Sequence, residues 1–153
     1  MKHTFTVDAS YNRPTNTVGI GIIVQATDKP RKRGRILSQH SEAYRGVSAS
    51  CMEEFAIFRA IEIASELGCQ FVKVRSDCNS VRTRLKKDHK EDRGRKSANL
   101  HGSILRLAKQ FTEVKFTYVP RRKNHIAHKL ARKAAREMTP QANPLLVSHD
   151  LEA

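Results

Sequence analysis

The chain has 153 residues, 39% of them apolar and 6% aromatic, and a formal net charge of +14. At roughly 100–200 residues per domain this length holds one globular domain and a short tail, and it excludes two full domains. A surplus of that size repels itself and points to a polyanionic partner, nucleic acid ahead of an anionic membrane.

No run approaches the ~18 apolar residues that span a bilayer, and the N-terminus MKHTFTVDASYN lacks the apolar stretch of a secretion signal. The expectation is an intracellular, cytoplasmic protein with no membrane partner. Cys51, Cys69 and Cys78 are odd in number and form no CxxC pair, so they read as reduced thiols and not as a disulfide framework or zinc site.

Residues 3–8 alternate β-formers and end on Asp8, and residues 17–26 are a β-branched run. The turn formers of YNRPTN between them predict a hairpin. After the basic loop DKPRKRGR, residues 35–44 predict a third antiparallel strand. From Ser48 the period changes to helical, with Met52, Ala56, Ala60, Ile63, Ala64 and Leu67 on one face, Ser48 or Ser50 to cap the start and Gly68 at the end. FVKVRSD (71–77) predicts a strand that again ends on an acid, followed by a short helix over 80–87. Residues 86–99 show no periodicity and predict an exposed basic loop. A helix over 100–111, a strand over 114–120 and a last helix over 126–138 follow, and the proline-bearing residues 139–153 predict a flexible tail. The whole implies an α/β domain at 1–138, with a mixed five-stranded sheet flanked by helices.

Asp8 and Asp77 end strands, and Glu53 lies in the first turn of the long helix between them. Each alone is ordinary, Asp77 as a helix cap and Glu53 as a helix-dipole acid. Asp8 and Asp77 fall where the chain should be half-buried, and three convergent carboxylates on a strongly basic chain make sense if they hold Mg²⁺ or Mn²⁺.

The segments TFTVDAS, GIGIIV, MEEFAIFRAIEIASELG, VKVRSDCNSV and VPRRKNHIAHKLARKA resemble, in order and spacing, the type 1 ribonuclease H family over roughly residues 3–137. The helix pattern of a glutamate followed by alanines at three, seven and eleven places favours Glu53 over Glu54. The resemblance implies a ribonuclease H-like fold and two-ion hydrolysis of the RNA strand of RNA–DNA hybrids. It also implies Asp8, Glu53 and Asp77 as metal ligands and catalytic residues, with the fourth position at His128. The family pattern there is N-x-x-A-D-x-L-A, whereas this chain has Asn124, Ala127, His128, Leu130 and Ala131. With His128 neutral the ligand set carries −3 instead of −4, which predicts weaker binding of the second ion and a shift toward Mn²⁺. Ala9 stands where the family usually has Gly, and His125 is not an obvious equivalent of the family's loop histidine.

Three runs hold most of the positive charge: five basic residues over Lys29–Arg35, eight over Arg82–Lys96 and seven over Arg121–Arg136. Around a cluster of acids they read as phosphate contacts. Lys86, Lys87, Arg121 and Arg122 are the candidates on these runs. Ser48, Ser50 and Asn79 match positions from which relatives touch RNA 2′-hydroxyls, and Asn124 reads as a helix cap. The function expected is a monomeric, metal-dependent endoribonuclease on RNA–DNA hybrids with no small-molecule cofactor. The rival reading is a nucleic-acid-binding module of the same fold with catalysis weakened or lost at His128.

Overall fold

The computed structural model describes residues 1–27 and 34–145. Most of the basic run over Lys29–Arg35 and the last part of the expected tail, 146–153, lie outside the described residues. The elements are β1 (Lys2–Asn12), β2 (Thr17–Thr27), β3 (Arg35–Arg45), α1 (Met52–Glu66), β4 (Phe71–Ser76), α2 (Asn79–Lys90), α3 (Leu100–Ala108), β5 (Glu113–Tyr118), α4 (His125–Glu137) and β6 (Gln141–Ala142). The sheet order is β5-β4-β1-β2-β3-β6. β1 pairs antiparallel with β2 and parallel with β4, and β5 pairs parallel with β4.

The expectation of five strands is corrected to six among the described residues. Gln141 and Ala142 pair parallel with Tyr44 and Arg45, and the Asn143 amide donates to the Gly46 carbonyl at 3.0 Å. Two residues carry no periodicity of their own, so only the tertiary neighbour reveals them.

Asp8 does not close β1. The strand runs on to Asn12, because every residue of 9–12 has an antiparallel partner over Thr17–Ile20, and the hairpin turns only at Arg13–Asn16, where Asn16 takes φ 54°. The parallel ladder with β4, however, ends at Val7 opposite Ser76. Asp8 is thus the first residue beyond that ladder, at the carboxyl end of β4, where an open sheet leaves room for a site.

The core lies where Phe5, Val7, Ile20 and Ile22 meet Phe55, Ile57 and Ile61 of α1, with Leu85, Ile104 and Leu105 from α2 and α3. α1 ends on Gly68 at φ 71°, with Cys69 N donating to the Ala64 carbonyl, a left-handed terminus that glycine adopts freely. At its start neither Ser48 nor Ser50 caps the helix. A short 3₁₀ turn over Ala49–Cys51 intervenes, and the two hydroxyls lie 3.1 Å from each other. β3 is tied to α1 by Glu42, which receives two guanidinium hydrogen bonds from Arg59 at 2.9 and 3.0 Å and one from the Tyr44 hydroxyl at 3.0 Å.

α2 extends to Lys90, so Lys86 and Lys87 are helical and not part of a loop. The whole helix buries only Leu85, and the polar residues of the extension, Asp88, His89 and Lys90, give no apolar stripe by which to see it. On the other face of the sheet, α4 lies almost on the backbone of β2. A Cβ added to Gly21 would meet the Ala127 carbonyl oxygen at 2.2 Å, and one added to Gly19 would meet that of Ala131 at 2.1 Å.

Candidate metal centre and nucleic-acid face

Three separate elements bring the acids together. Asp8 comes from β1 just past its ladder with β4, Asp77 from the residue after β4, and Glu53 from the first turn of α1. One carboxylate oxygen from each lies within 4.8 Å of the others. Glu54, the neighbouring acid, turns away and pairs with Arg84.

The cluster is electrostatically unbalanced. Asp8 is 3% exposed. Burial raises its pKa and the Asp77 charge adds to this, while hydrogen bonds from His128 and the Ala9 backbone only partly offset them. Glu53 is pushed up to about 8, by burial first and then by the charges of Asp8 and Asp77, with Arg121 opposing. Its Oε2 is buried and has no hydrogen-bond partner. Hard oxygen donors, crowded negative charge and an orphaned carboxylate oxygen are what a divalent cation would satisfy, so these residues fit such an ion.

This imbalance has a measurable sign. A carboxyl whose folded value is raised stabilises the fold fully below its unfolded value, near 4.5 for Glu53, and that contribution is lost as pH rises through about 8. In chelator, Glu53→Gln is therefore expected to melt higher than wild type at pH 8.5, by about 5 °C, with the gap closing toward pH 5. Thermal melts across this window check it. A gap that does not change with pH would show that Glu53 is not strained.

His128, on the second turn of α4, donates from Nδ1 to Asp8 Oδ2 at 2.8 Å, with its side chain 49% exposed. Asn124 is the residue that the sequence reading misplaced. It stands at the N-cap position of α4, but its side chain makes no capping bond. It is 2% exposed, and its Nδ2 donates to the Val7 carbonyl at 3.0 Å and to Asp77 Oδ2 at 3.3 Å. One amide thus ties the backbone before Asp8 to the carboxylate of Asp77. Asparagine is so common a cap that its type and place gave no other signal. Ala9 lies in β1 without positive φ, so its methyl adds no backbone strain.

The other candidates are all exposed. Ser48 precedes the 3₁₀ turn ahead of Glu53 and Ser50 lies within it. Asn79 opens α2 two residues after Asp77, and its Oδ1 accepts from Arg82 at 2.6 Å. Arg121 and Arg122 lie in a 3₁₀ turn before α4, close enough for the Arg121 charge to act on Glu53. Lys86 and Lys87 stand farther along α2. His125 is exposed at the first position of α4, with no side-chain partner among the described residues.

A family model described as reverse transcriptase-like matches residues 6–134. No curated protein matches the chain. Among solved structures, the RNase H1 of the halophilic archaeon Halobacterium salinarum superposes with a TM-score of 0.69 at 19% identity, over 88% of this chain and 97% of that one. The N-terminal RNase H domain of Rv2228c from Mycobacterium tuberculosis, solved as a fusion with maltose-binding protein, gives 0.66 at 21% identity, over 88% and 93%. LC11-RNase H1, isolated from compost by a metagenomic approach and solved in complex with an RNA/DNA hybrid, gives 0.64 at 19% identity, over 87% and 96%. These likenesses show a shared ribonuclease H-like fold.

Proposed function

We propose that this chain, which belongs to the reverse transcriptase-like family, is a ribonuclease H that hydrolyses the RNA strand of RNA–DNA hybrids with divalent ions. The observation that carries this reading is the convergence of Asp8, Glu53 and Asp77, with one Glu53 oxygen buried and unpartnered. These three would hold the ions, two in number, with Mg²⁺ or Mn²⁺ the suitable kinds. When bound, such ions activate a water and stabilise the departing 3′ oxygen.

The chain's own part is placement. The end of the β1–β4 ladder and the Asn124 amide fix Asp8 and Asp77 relative to each other, and α1 carries Glu53 up against both. Ser48, Ser50 and Asn79 face the 2′-hydroxyls that distinguish RNA from DNA. Arg121, Arg122, Lys86 and Lys87 take the phosphates. No helix among the described residues is long and apolar enough to cross a membrane. The reading completes this with a cytoplasmic monomer that needs no small-molecule cofactor and works through residues 1–138.

His128 belongs to the site through Asp8, and its imidazole replaces a carboxylate, which favours Mn²⁺ over Mg²⁺. The same hydrogen bond occupies an Asp8 oxygen that an ion would need, and this favours the second reading, a binding module with weakened turnover. Incubation of a labelled hybrid with each ion decides between them. Cleavage of the RNA strand in the hybrid, with neither all-RNA nor all-DNA duplex cut, is the expected result; no cleavage with either ion would leave only the binder. His128→Asp is expected to raise the Mg²⁺ rate about tenfold while changing the Mn²⁺ rate little. Equal rates for variant and wild type in both ions would remove His128 from the ion site.

A further inference from the structure

We propose that the outward face of α4 is a second phosphate-binding surface, which holds the hybrid duplex where it continues out of the cleft beyond the segment at the carboxylates. The identity of the duplex rests on the hybrid-cleaving reading above; the existence of the surface does not.

Lys129, Arg132, Lys133 and Arg136 are all exposed on α4. None of the four makes a side-chain hydrogen bond or ion pair among the described residues. Several of the cations around α2 and α3 are different. Arg84 pairs with Glu54, Arg93 with Asp88 and Glu91, and both Arg95 and Lys109 with Asp92. Around α2 and α3 the charge is thus partly neutralised, with Lys86, Lys87 and Lys90 still open among the described residues, whereas on the outward face of α4 none of it is.

Spacing makes the open stripe unfavourable by itself. Positions 129, 132, 133 and 136 are three or four apart, so each cation has like-charged neighbours on the helix surface, and such pairs destabilise a helix. No acid lies on α4 before Glu137 to relieve them. A partner that supplies regularly spaced anions removes the repulsion. The seven steps from Lys129 to Arg136 at ~1.5 Å rise cover ~10 Å, about three base-pair steps of one duplex strand.

The surface is also rigid and correctly joined to the site. The opposite face of α4, with Ala127, Ala131, Ala134 and Ala135, is buried against the sheet, seated on the bare backbone of Gly19 and Gly21. One end of the helix holds His128 on Asp8. Near the other end, the Asn12 amide donates to the Ala135 carbonyl at 3.1 Å, and exposed Arg13 follows in the hairpin turn. The cationic track therefore starts at the carboxylates and leads away from them. An anionic bilayer fits less well, because a surface-bound helix needs an apolar face to insert and α4 has spent its own on the sheet.

The test is binding, read in chelator so that turnover is irrelevant. Two hybrids are used, one just long enough to fill the cleft and one several helical turns long, and affinity is followed against salt. Wild type is expected to show a steeper salt dependence on the long hybrid. The combined variant Lys129→Gln, Arg132→Gln, Lys133→Gln, Arg136→Gln should lose that difference, with a log–log slope shallower by about 2–4 and about tenfold or greater loss of affinity for the long hybrid. Arg132→Lys with Arg136→Lys should keep the wild-type slope, since charge and fold both persist. Equal slopes for the two hybrids in wild type, an unchanged slope in the four-glutamine variant, or a loss as large in the lysine variant would each overturn the proposal. If the surface binds and no ion supports cleavage, the catalytic reading fails and this one stands.

Discussion

Asp8→Asn is expected to reduce hybrid cleavage at least about a thousandfold, some 4 kcal/mol of transition-state stabilisation, in Mg²⁺ and Mn²⁺ alike. Asp8 stands between Asp77 on one side and His128 on the other, and is the most deeply buried of the three acids. The substitution keeps shape and removes charge. It also relieves the repulsion that raises Glu53 and the burial that raises Asp8 itself. The thermal midpoint of the metal-free variant should therefore equal or exceed that of wild type. This pairing of a large kinetic loss with no loss of stability separates a site residue from a structural one. Cleavage within tenfold of wild type would remove Asp8 from the chemistry.

Gly21→Ala is expected to destabilise the fold by about 3 kcal/mol or more and to lower the thermal midpoint by about 6–12 °C. Gly21 pairs with Asp8 across β1 and β2, and the added methyl would stand 2.2 Å from the Ala127 carbonyl oxygen and 2.8 Å from the Ala131 nitrogen. Both are backbone atoms of α4, so no side chain can rotate away, and the helix itself must lift. Asn124 and His128 ride on that helix, and the site should loosen with it: the remaining folded protein would bind divalent ions more weakly. Gly68→Ala is the contrast. Nothing lies within 4 Å of its added carbon, and only its φ of 71° is unfavourable, which costs about 1 kcal/mol with no effect on ion binding. Equal losses in the two variants, measured by urea denaturation, would contradict this account of the α4 packing.

Much of the fold is legible in the residues themselves. The hairpin, the long α1, the alternating β4 and β5 and the final α4 each carry a clear period, and the acids stand out because carboxylates among apolar β-formers need a reason. What escaped is what periodicity does not encode. Asp8 reads as a strand end because an acid breaks the apolar run, yet the antiparallel partner carries β1 four residues further. Asn124 reads as a cap because its type and position suit one, while its amide is committed to Val7 and Asp77. Gly19 and Gly21 sit in a β-branched run that gives no hint of what packs on them, and only the approach of α4 shows that no side chain fits there.

The central claim is that Asp8, Glu53 and Asp77 form one divalent-ion site, and titration of the metal-free protein with Mn²⁺, followed by electron paramagnetic resonance, tests it most directly. Saturable Mn²⁺ binding in wild type that is lost or at least tenfold weaker in Asp8→Asn, Glu53→Gln and Asp77→Asn, all still folded by circular dichroism, is the predicted result. Mn²⁺ uptake of the same strength in wild type and all three variants would contradict it.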